Sequence, residues 1–333
     1  MLEAEKDQVI LKVEDLTVAL RLGKKSFRVV DRLSFELHKG KTLALVGESG
    51  CGKSMTALAL LRILPNPPAL PPQGHVWYQG QDLLELSEKQ MRNIRGARIA
   101  MIFQDPMTAL NPVYTIGYQL SEVAQLHLNL YGEEAELRVI QALDEVGIPN
   151  PEERLWDYPH QLSGGMKQRV MIAMALMCEP DILIADEPTT ALDVTVQAQV
   201  LDLMRQLQRD RGMALLLITH DMGVVAEMAD DVTIMYATEA VEKGSVYDIF
   251  DNKKHPYTVG LFGSLPQIED KGGALEPIAG SVPPITQLPS GCRFHPRCPR
   301  AMERCKEGEV SAFSFAEGHT ARCWLYDDGG EKS

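Results

Sequence analysis

The densest run of chemistry-bearing residues is Gly47-Glu48-Ser49-Gly50-Cys51-Gly52-Lys53-Ser54, followed by Met55. Its glycines allow the backbone to curl so that successive N–H groups point inward, a concavity that suits phosphate oxygens. An apolar run, Thr42-Leu43-Ala44-Leu45-Val46, precedes it, and residues 55–62 read as a helix after it. Strand, glycine loop and helix are the context that a P-loop requires. The helix start adds unpaired N–H donors and the positive end of its dipole. Lys53 is long enough to reach β- and γ-phosphates, and the Ser54 hydroxyl suits Mg²⁺. ATP with Mg²⁺ is therefore the expected ligand, with residues 47–55 as its cradle. Cys51 fills a free position of the loop and reads as a small filler rather than a nucleophile.

Two further clusters carry chemistry of the same kind. Asp181-Ile-Leu-Ile-Ala-Asp186-Glu187 is an apolar strand ending in two acids. Asp186 suits a magnesium carboxylate, and Glu187 is placed to polarise an attacking water. Leu162-Ser163-Gly164-Gly165-Met166 opens a second helix. Ser163 is a good N-cap, and two glycines at a helix start leave N–H groups open to phosphate.

These side chains need elements to position them. Four unbroken apolar runs fit strands of a parallel sheet buried on both faces: Thr42 to Val46, Ile99 to Phe103, Ile182 to Ala185 and Ala214 to Ile218. The residues after them are the glycine loop, Gln104, Asp186 with Glu187, and His220. Open α/β sheets bind ligands beyond the carboxyl ends of their strands, so all four runs should deliver chemistry to one edge. Residues 9–13 and 33–37 read as strands with one solvated face, and residues 74–83 as another short strand or a hairpin, with Gln79-Gly80 at the turn. Residues 132–146 carry Leu137, Ile140, Leu143 and Val146 at helical spacing; residues 170–177 are apolar all round and predict a buried helix. Residues 193–210 predict an amphipathic helix stopped by Gly212. From about residue 253 prolines recur, periodicity fades and cysteines gather, which reads as a separate loop-rich unit.

At 333 residues with 45% apolar and 24% charged composition, the chain is globular and long enough for two or three packed units. A net charge of −13 argues against nucleic acid as the main partner. The first residues, Met1-Leu-Glu-Ala-Glu-Lys-Asp-Gln, are too acidic and polar for a signal peptide. The longest apolar runs are too short to span a bilayer, so any membrane role is expected through a partner.

With these motifs assembled, the chain resembles the nucleotide-binding subunits of ABC transporters over nearly its whole length. Residues 47–54 resemble Walker A, and Asp186 with Glu187 resembles Walker B. Gln104 resembles the Q-loop glutamine that senses Mg²⁺ and couples to the membrane partner. Residues 162–166 resemble the signature motif, with Met166 standing where the family usually has Gln. Asp193, in Ala191-Leu-Asp193, resembles the D-loop, and His220 resembles the switch histidine at the γ-phosphate. The resemblance implies a P-loop NTPase α/β sheet core with an antiparallel β subdomain and a helical subdomain (about 106–178) within residues 1–252. It also implies two cassettes that sandwich two ATP molecules, one cassette's P-loop facing the other's signature motif. The adenine-stacking aromatic expected upstream of the P-loop falls nearest Phe27, which serves equally well as a core residue.

Residues 253–333 narrow the resemblance. His255-Pro-Tyr-Thr258, Pro277-Ile-Ala-Gly280, Leu288-Pro-Ser-Gly-Cys292 and Pro296-Arg-Cys298-Pro are similar to the extension of dipeptide and oligopeptide importer ATPases, relatives of nickel and other small-solute importers. Four of the six cysteines lie here, as Cys292-x5-Cys298-x6-Cys305-x17-Cys323. The residues alone leave an iron–sulfur cluster, a zinc site or free thiols open, although the lack of tight C-x2-C pairs leans away from zinc. The resemblance implies a [4Fe–4S] cluster on these four cysteines. It further implies a second ATPase subunit, a paralogue by analogy, two transmembrane permease subunits, and a solute-binding protein outside the membrane. A soluble ABC-type ATPase acting on nucleic acid or ribosomes, an iron–sulfur redox protein and a regulatory ATP-binding module are the alternatives from other classes. One cassette, no coiled-coil insert and an intact catalytic set speak for the transporter.

Overall fold

A computed structural model describes residues 8–104, 109–190, 192–263 and 278–327. Of the positions read above, the N-terminal Met1 to Asp7, Asp105, Pro106, Ala191, Pro266 and Pro277 lie outside these residues.

Twelve described strands run β1 (Val9–Leu22), β2 (Lys25–His38), β3 (Thr42–Val46), β4 (Gln73–Tyr78), β5 (Gln81–Asp82), β6 (Ile99–Ile102), β7 (Ile182–Asp186), β8 (Ala214–Thr219), β9 (Asp231–Tyr236), β10 (Glu239–Ser245), β11 (Phe313–Ala316) and β12 (His319–Ala321). The helices that matter here are α1 (Lys53–Leu60), α2 (Glu133–Glu145), α3 (Gly164–Leu176), α4 (Val194–Arg211), α5 (Met222–Met228) and α6 (Pro256–Gly263). All four apolar runs form strands, although the second ends at Ile102 and leaves Phe103 outside it, 43% exposed. Every residue of β3, β7 and β8 is buried, as continuous apolar sequence in a two-faced sheet requires.

The described chain divides into two compact units. One holds residues 8–10, 37–42 and 85–218. In it β6, β7 and β8 pair in parallel, Ile99 opposite Ile182 and Ile182 opposite Ala214. Helix α3 is buried through Val170, Met171, Ile172, Ala173 and Leu176, as its all-round apolar sequence predicts. Two arginines bind the carbonyls at its C-terminal end: Arg211 Nη1 donates to Leu176 O at 2.6 Å and Arg138 Nη2 to Met177 O at 2.7 Å. Cations suit that end of a helix dipole. Helix α2 forms as predicted, but its buried stripe is Ala135, Val139, Ala142 and Leu143. The predicted stripe holds at Leu143 and Val146, which are buried, and at Ile140, which is half-buried; it fails at Leu137, which is 60% exposed, while Ala135, Val139 and Ala142 widen the buried face. In α4 the buried face is Val200, Leu201, Met204, Leu207 and Gln208, and Gly212 ends the helix in the left-handed region at φ +62°.

The other unit holds residues 11–36, 43–84 and 219–327. Its antiparallel sheet runs β2-β1-β4-β5. Strands β1 and β2 are each 14 residues, far longer than the short segments read from alternation alone. Its second layer runs β11-β12-β10-β9-β3, with β3 and β9 parallel and the rest antiparallel. The loop-rich stretch after residue 253 is less separate than its composition suggests. β12 pairs with β10, Glu242 opposite Ala321, and Tyr257 and Phe294 pack in one core with Ala44, Val46, Val232, Ile234 and Tyr236.

Candidate functional site

The first unit carries the paired acids. Asp186 ends β7 and is buried, 4% exposed. Glu187 follows with φ +46°, in the left-handed region, and its N–H donates to Ile218 O at 2.8 Å. A non-glycine residue held there costs about 1 kcal/mol or more, and such positions cluster at functional sites. The Glu187 carboxylate accepts from Gln104 Nε2 at 3.0 Å and from Thr190 Oγ1 at 2.9 Å through the same oxygen. Two of the predicted residues, Gln104 and Glu187, thus meet directly. Thr190 was not singled out; it stands three residues beyond Glu187, after a proline turn, where sequence offers no pattern to mark it.

Ser163 caps α3, its Oγ accepting from the Met166 N–H at 3.3 Å. Ser163 and Gly164 are exposed, so the helix start is open to a ligand. A Cβ on Gly165 would come within 2.7 Å of Val196 Cγ1, so any side chain there would force Val196 to shift. Asp193 caps α4, accepting from the Val196 N–H at 3.0 Å. Its observed contact is a structural cap.

The second unit carries the glycine loop. At Gly52, which precedes α1, φ is +108° and a Cβ would stand 2.3 Å from Val29 O. At Gly47 a Cβ would stand 2.2 Å from Met235 O. The loop is therefore pressed against two strands and admits no side chain at either point. Lys53 Nζ donates to the loop's own carbonyls, Gly47 O at 2.7 Å and Glu48 O at 3.3 Å. Cys51 is fully buried and burial pushes its thiol pKa up, as a filler requires. Ser49 and Gly50 are exposed, and Ser54 and Met55 half-buried at the start of α1. That arrangement suits a polyphosphate with its cation: a tight glycine turn at a helix start, a lysine folded onto the loop's carbonyls and a half-buried serine hydroxyl beside it. Phe27 is half-buried on β2. His220 is exposed directly after β8, and Asp221 beside it caps α5.

The loop has partners that sequence reading did not mark as site residues. The Glu48 N–H donates to Tyr257 Oη at 3.0 Å, and the Glu48 carboxylate pairs with both terminal nitrogens of Arg297 at 2.6 and 3.1 Å. Both residues lie in segments quoted above only for their resemblance. Contacts across more than 200 positions leave no local signature.

Cys292, Cys298, Cys305 and Cys323 line one cavity together with His255, Phe294, His295 and Trp324. Among the described residues, no three His, Cys, Asp or Glu side chains stand close enough to hold a single metal ion. The sulfurs nevertheless receive main-chain N–H groups in a repeated pattern: Phe294 to Cys292, Arg300 to Cys298 at 3.4 Å, and Leu325 to Cys323, each donor two residues after its cysteine. The Met302 N–H approaches Cys305 Sγ at 3.5 Å. Burial pushes the Cys292 thiol up to about 11 and raises Cys298 and Cys323 as well. Cys178 is half-buried outside this group, with its thiol pKa also raised by burial. His255 is fully buried; its Nδ1 accepts from the Tyr257 N–H at 3.0 Å, and burial pushes its pKa down to about 3.

Comparison with known proteins covers both units. The ABC transporter family matches residues 30–190, and the oligopeptide/dipeptide transporter C-terminal region matches residues 241–305. The chain is 49% identical over 322 residues to the dipeptide transport ATP-binding protein DppD of Bacillus subtilis (strain 168), covering 97% of this chain and 96% of that one. It is 46% identical to the protein of the same name in Escherichia coli (strain K12), over 96% of this chain and 98% of that one. Among solved structures, cbiO1 from Clostridium perfringens, part of the ABC transporter complex cbiONQ, superposes with a TM-score of 0.63 at 28% identity. That match covers 77% of this chain and 96% of cbiO1. Among the described residues, no helix is long and apolar enough to cross a membrane.

Proposed function

The chain belongs to the ATP-binding subunits of ABC transporters, in the dipeptide/oligopeptide class, and from that premise we propose how its own residues carry the work. It hydrolyses ATP to power peptide import through a membrane transporter. The observation that carries the peptide class is the match of residues 241–305 to the C-terminal region of such transporters, joined to near-full-length identity with DppD.

Lys53 and the backbone of residues 47–55 bind the β- and γ-phosphates. The Ser54 hydroxyl and the Asp186 carboxylate are magnesium ligands, with Gln104 as sensor. Glu187 polarises the attacking water, and His220 stabilises the transferring phosphoryl group. Phosphoryl transfer needs chiefly positioning and charge neutralisation, and these groups supply both. Ser163, Gly164 and Gly165 complete the site of a neighbouring cassette, to which Asp193 contributes, and Phe27 stacks on adenine. We assign residues 1–252 to the ATPase domain, with a helical subdomain at about 106–178, and residues 253–333 to the extension. The partners are a second cassette, a paralogue of this chain, and two permease subunits that hold it at the cytoplasmic face of the membrane; a solute-binding protein delivers the peptide. Glu187→Gln in the assembled transporter tests the catalytic assignment. ATP turnover should fall by at least about a hundredfold with nucleotide affinity kept, as for loss of a positioned acid–base group; wild-type turnover would refute the role of Glu187.

We further propose that Cys292, Cys298, Cys305 and Cys323 hold a [4Fe–4S] cluster. Support comes from four thiols around one cavity and from N–H groups aimed at their sulfurs, a feature that tunes such clusters. Zinc draws four sulfurs to about 2.3 Å from a single point, whereas a cluster spreads them around a cube. When bound, the cluster supplies a cross-link for a segment with little core of its own. Anaerobic purification should give iron and sulfide in equal amounts, lost in Cys298→Ser; zinc in their place would overturn the assignment.

A further inference from the structure

The segment between the first two clustered cysteines, residues 292–298, reaches the phosphate loop directly at one end, through Arg297, and through Thr238 at the other, from Arg293. Arg297 is nearly buried, its side chain 5% exposed, and forks onto the Glu48 carboxylate at 2.6 and 3.1 Å. Its own position is fixed from behind: Nε donates to Ala279 O at 3.0 Å, and the guanidinium stands over the Tyr236 ring at 5.7 Å. Arg293, four residues earlier, donates to Ala237 O at 2.7 Å and to Thr238 Oγ1, and pairs with Asp31 and Glu239 at 2.5 and 2.9 Å. Thr238 in turn donates its N–H to Cys51 O in the loop at 3.2 Å. Between these two arginines lies Phe294, packed on Tyr236 and on Tyr257, the residue whose hydroxyl accepts the Glu48 N–H.

The charges matter as much as the shape. Glu48 places a carboxylate in a loop whose task is to attract phosphate. Unpaired, that carboxylate would repel the ligand, and a forked arginine both cancels it and fixes its direction. We propose that Arg297, supported by Arg293, is a positioning residue for nucleotide: it holds the phosphate loop in its binding shape and neutralises Glu48, so that nucleotide affinity is set in part by the C-terminal extension. The inference rests on the ATPase reading above.

The test is titration of the full-length protein with a fluorescent ADP analogue and Mg²⁺, alongside thermal midpoints. Arg297→Gln should weaken binding roughly tenfold. Arg297→Lys keeps the charge without the fork and should fall between it and the wild type. Adding Glu48→Gln to Arg297→Gln should recover part of the loss, because the repelling carboxylate is then gone. Hydrogen exchange should speed up at amides 48–52 in Arg297→Gln and stay unchanged in β6 to β8. Binding by Arg297→Gln within twofold of wild type, or a double variant weaker than Arg297→Gln, overturns the inference. If Arg297→Gln does not fold, Arg297→Lys carries the comparison, and wild-type affinity in that variant with unchanged exchange at 48–52 overturns it too. A wild type that binds no Mg-nucleotide would instead sink the ATPase reading itself.

Discussion

Glu187 is useful to catalysis only while it is aimed, and its aim depends on two short contacts. Gln104 and Thr190 converge on one carboxylate oxygen and so fix the direction of the side chain. Thr190→Ala removes one contact worth about 1 kcal/mol, so ATP turnover should drop about fivefold with nucleotide affinity unchanged; steady-state kinetics of the assembled transporter would read this. His255 gives a different prediction. Its folded pKa of about 3 lies below the unfolded value near 6.5, so the unfolded chain takes up a proton first as pH falls. The stability it contributes is whole above about pH 6.5 and is lost on acidification. Between pH 7 and pH 5 the loss should be about 2 kcal/mol, and His255→Asn, which keeps an acceptor for the Tyr257 N–H, should flatten that slope. Thermal midpoints of both proteins across the range check it.

Elements were legible where one physical demand dominated. The runs at Thr42, Ile99, Ile182 and Ala214 had to be two-faced strands, because nothing polar interrupts them, and each is. Strands β9 and β10 escaped notice. β10 carries Glu239, Glu242 and Lys243, and the buried Glu242 is satisfied by distant groups: the N–H groups of Lys254 and His255, and His319 Nε2 at 3.0 Å. Helix α2 shows the limit of periodicity. The predicted spacing marks Leu143 and Leu137 alike, and packing buries the first and exposes the second. Leu143→Ala should therefore cost about 2–4 kcal/mol, as a buried leucine does, whereas Leu137→Ala should stay within about 0.5 kcal/mol. Chemical denaturation of both variants checks this; equal costs would mean that Leu137 is packed as tightly as Leu143.

Across the whole molecule, the glycine loop, the acids, Gln104 and His220 were readable because each follows its strand directly in sequence. The arginine and tyrosine behind the loop were not, since they arrive from the far end of the chain. The cysteine cavity obeys a related logic in its response to pH. Thiols must shed protons to bind metal, and burial holds Cys292 at about 11, so occupancy by iron should rise as reconstitution is moved from pH 7 to pH 9. Iron content after reconstitution at each pH measures it. A pH-independent yield would mean that deprotonation of Cys292 does not limit loading.

The pairing of β12 with β10 has a practical consequence. A chain cut after residue 252 would keep the residues of its phosphate loop without Tyr257 and Arg297 behind them, and would bare a raw flank of unmet amide and carbonyl groups along β10, the kind of margin that templates strand-to-strand clumping. Light scattering of such a truncate should report self-association at concentrations where the intact protein stays monodisperse. The tail is then a selvedge on the woven edge, and a minimal ATPase cannot be had simply by trimming it.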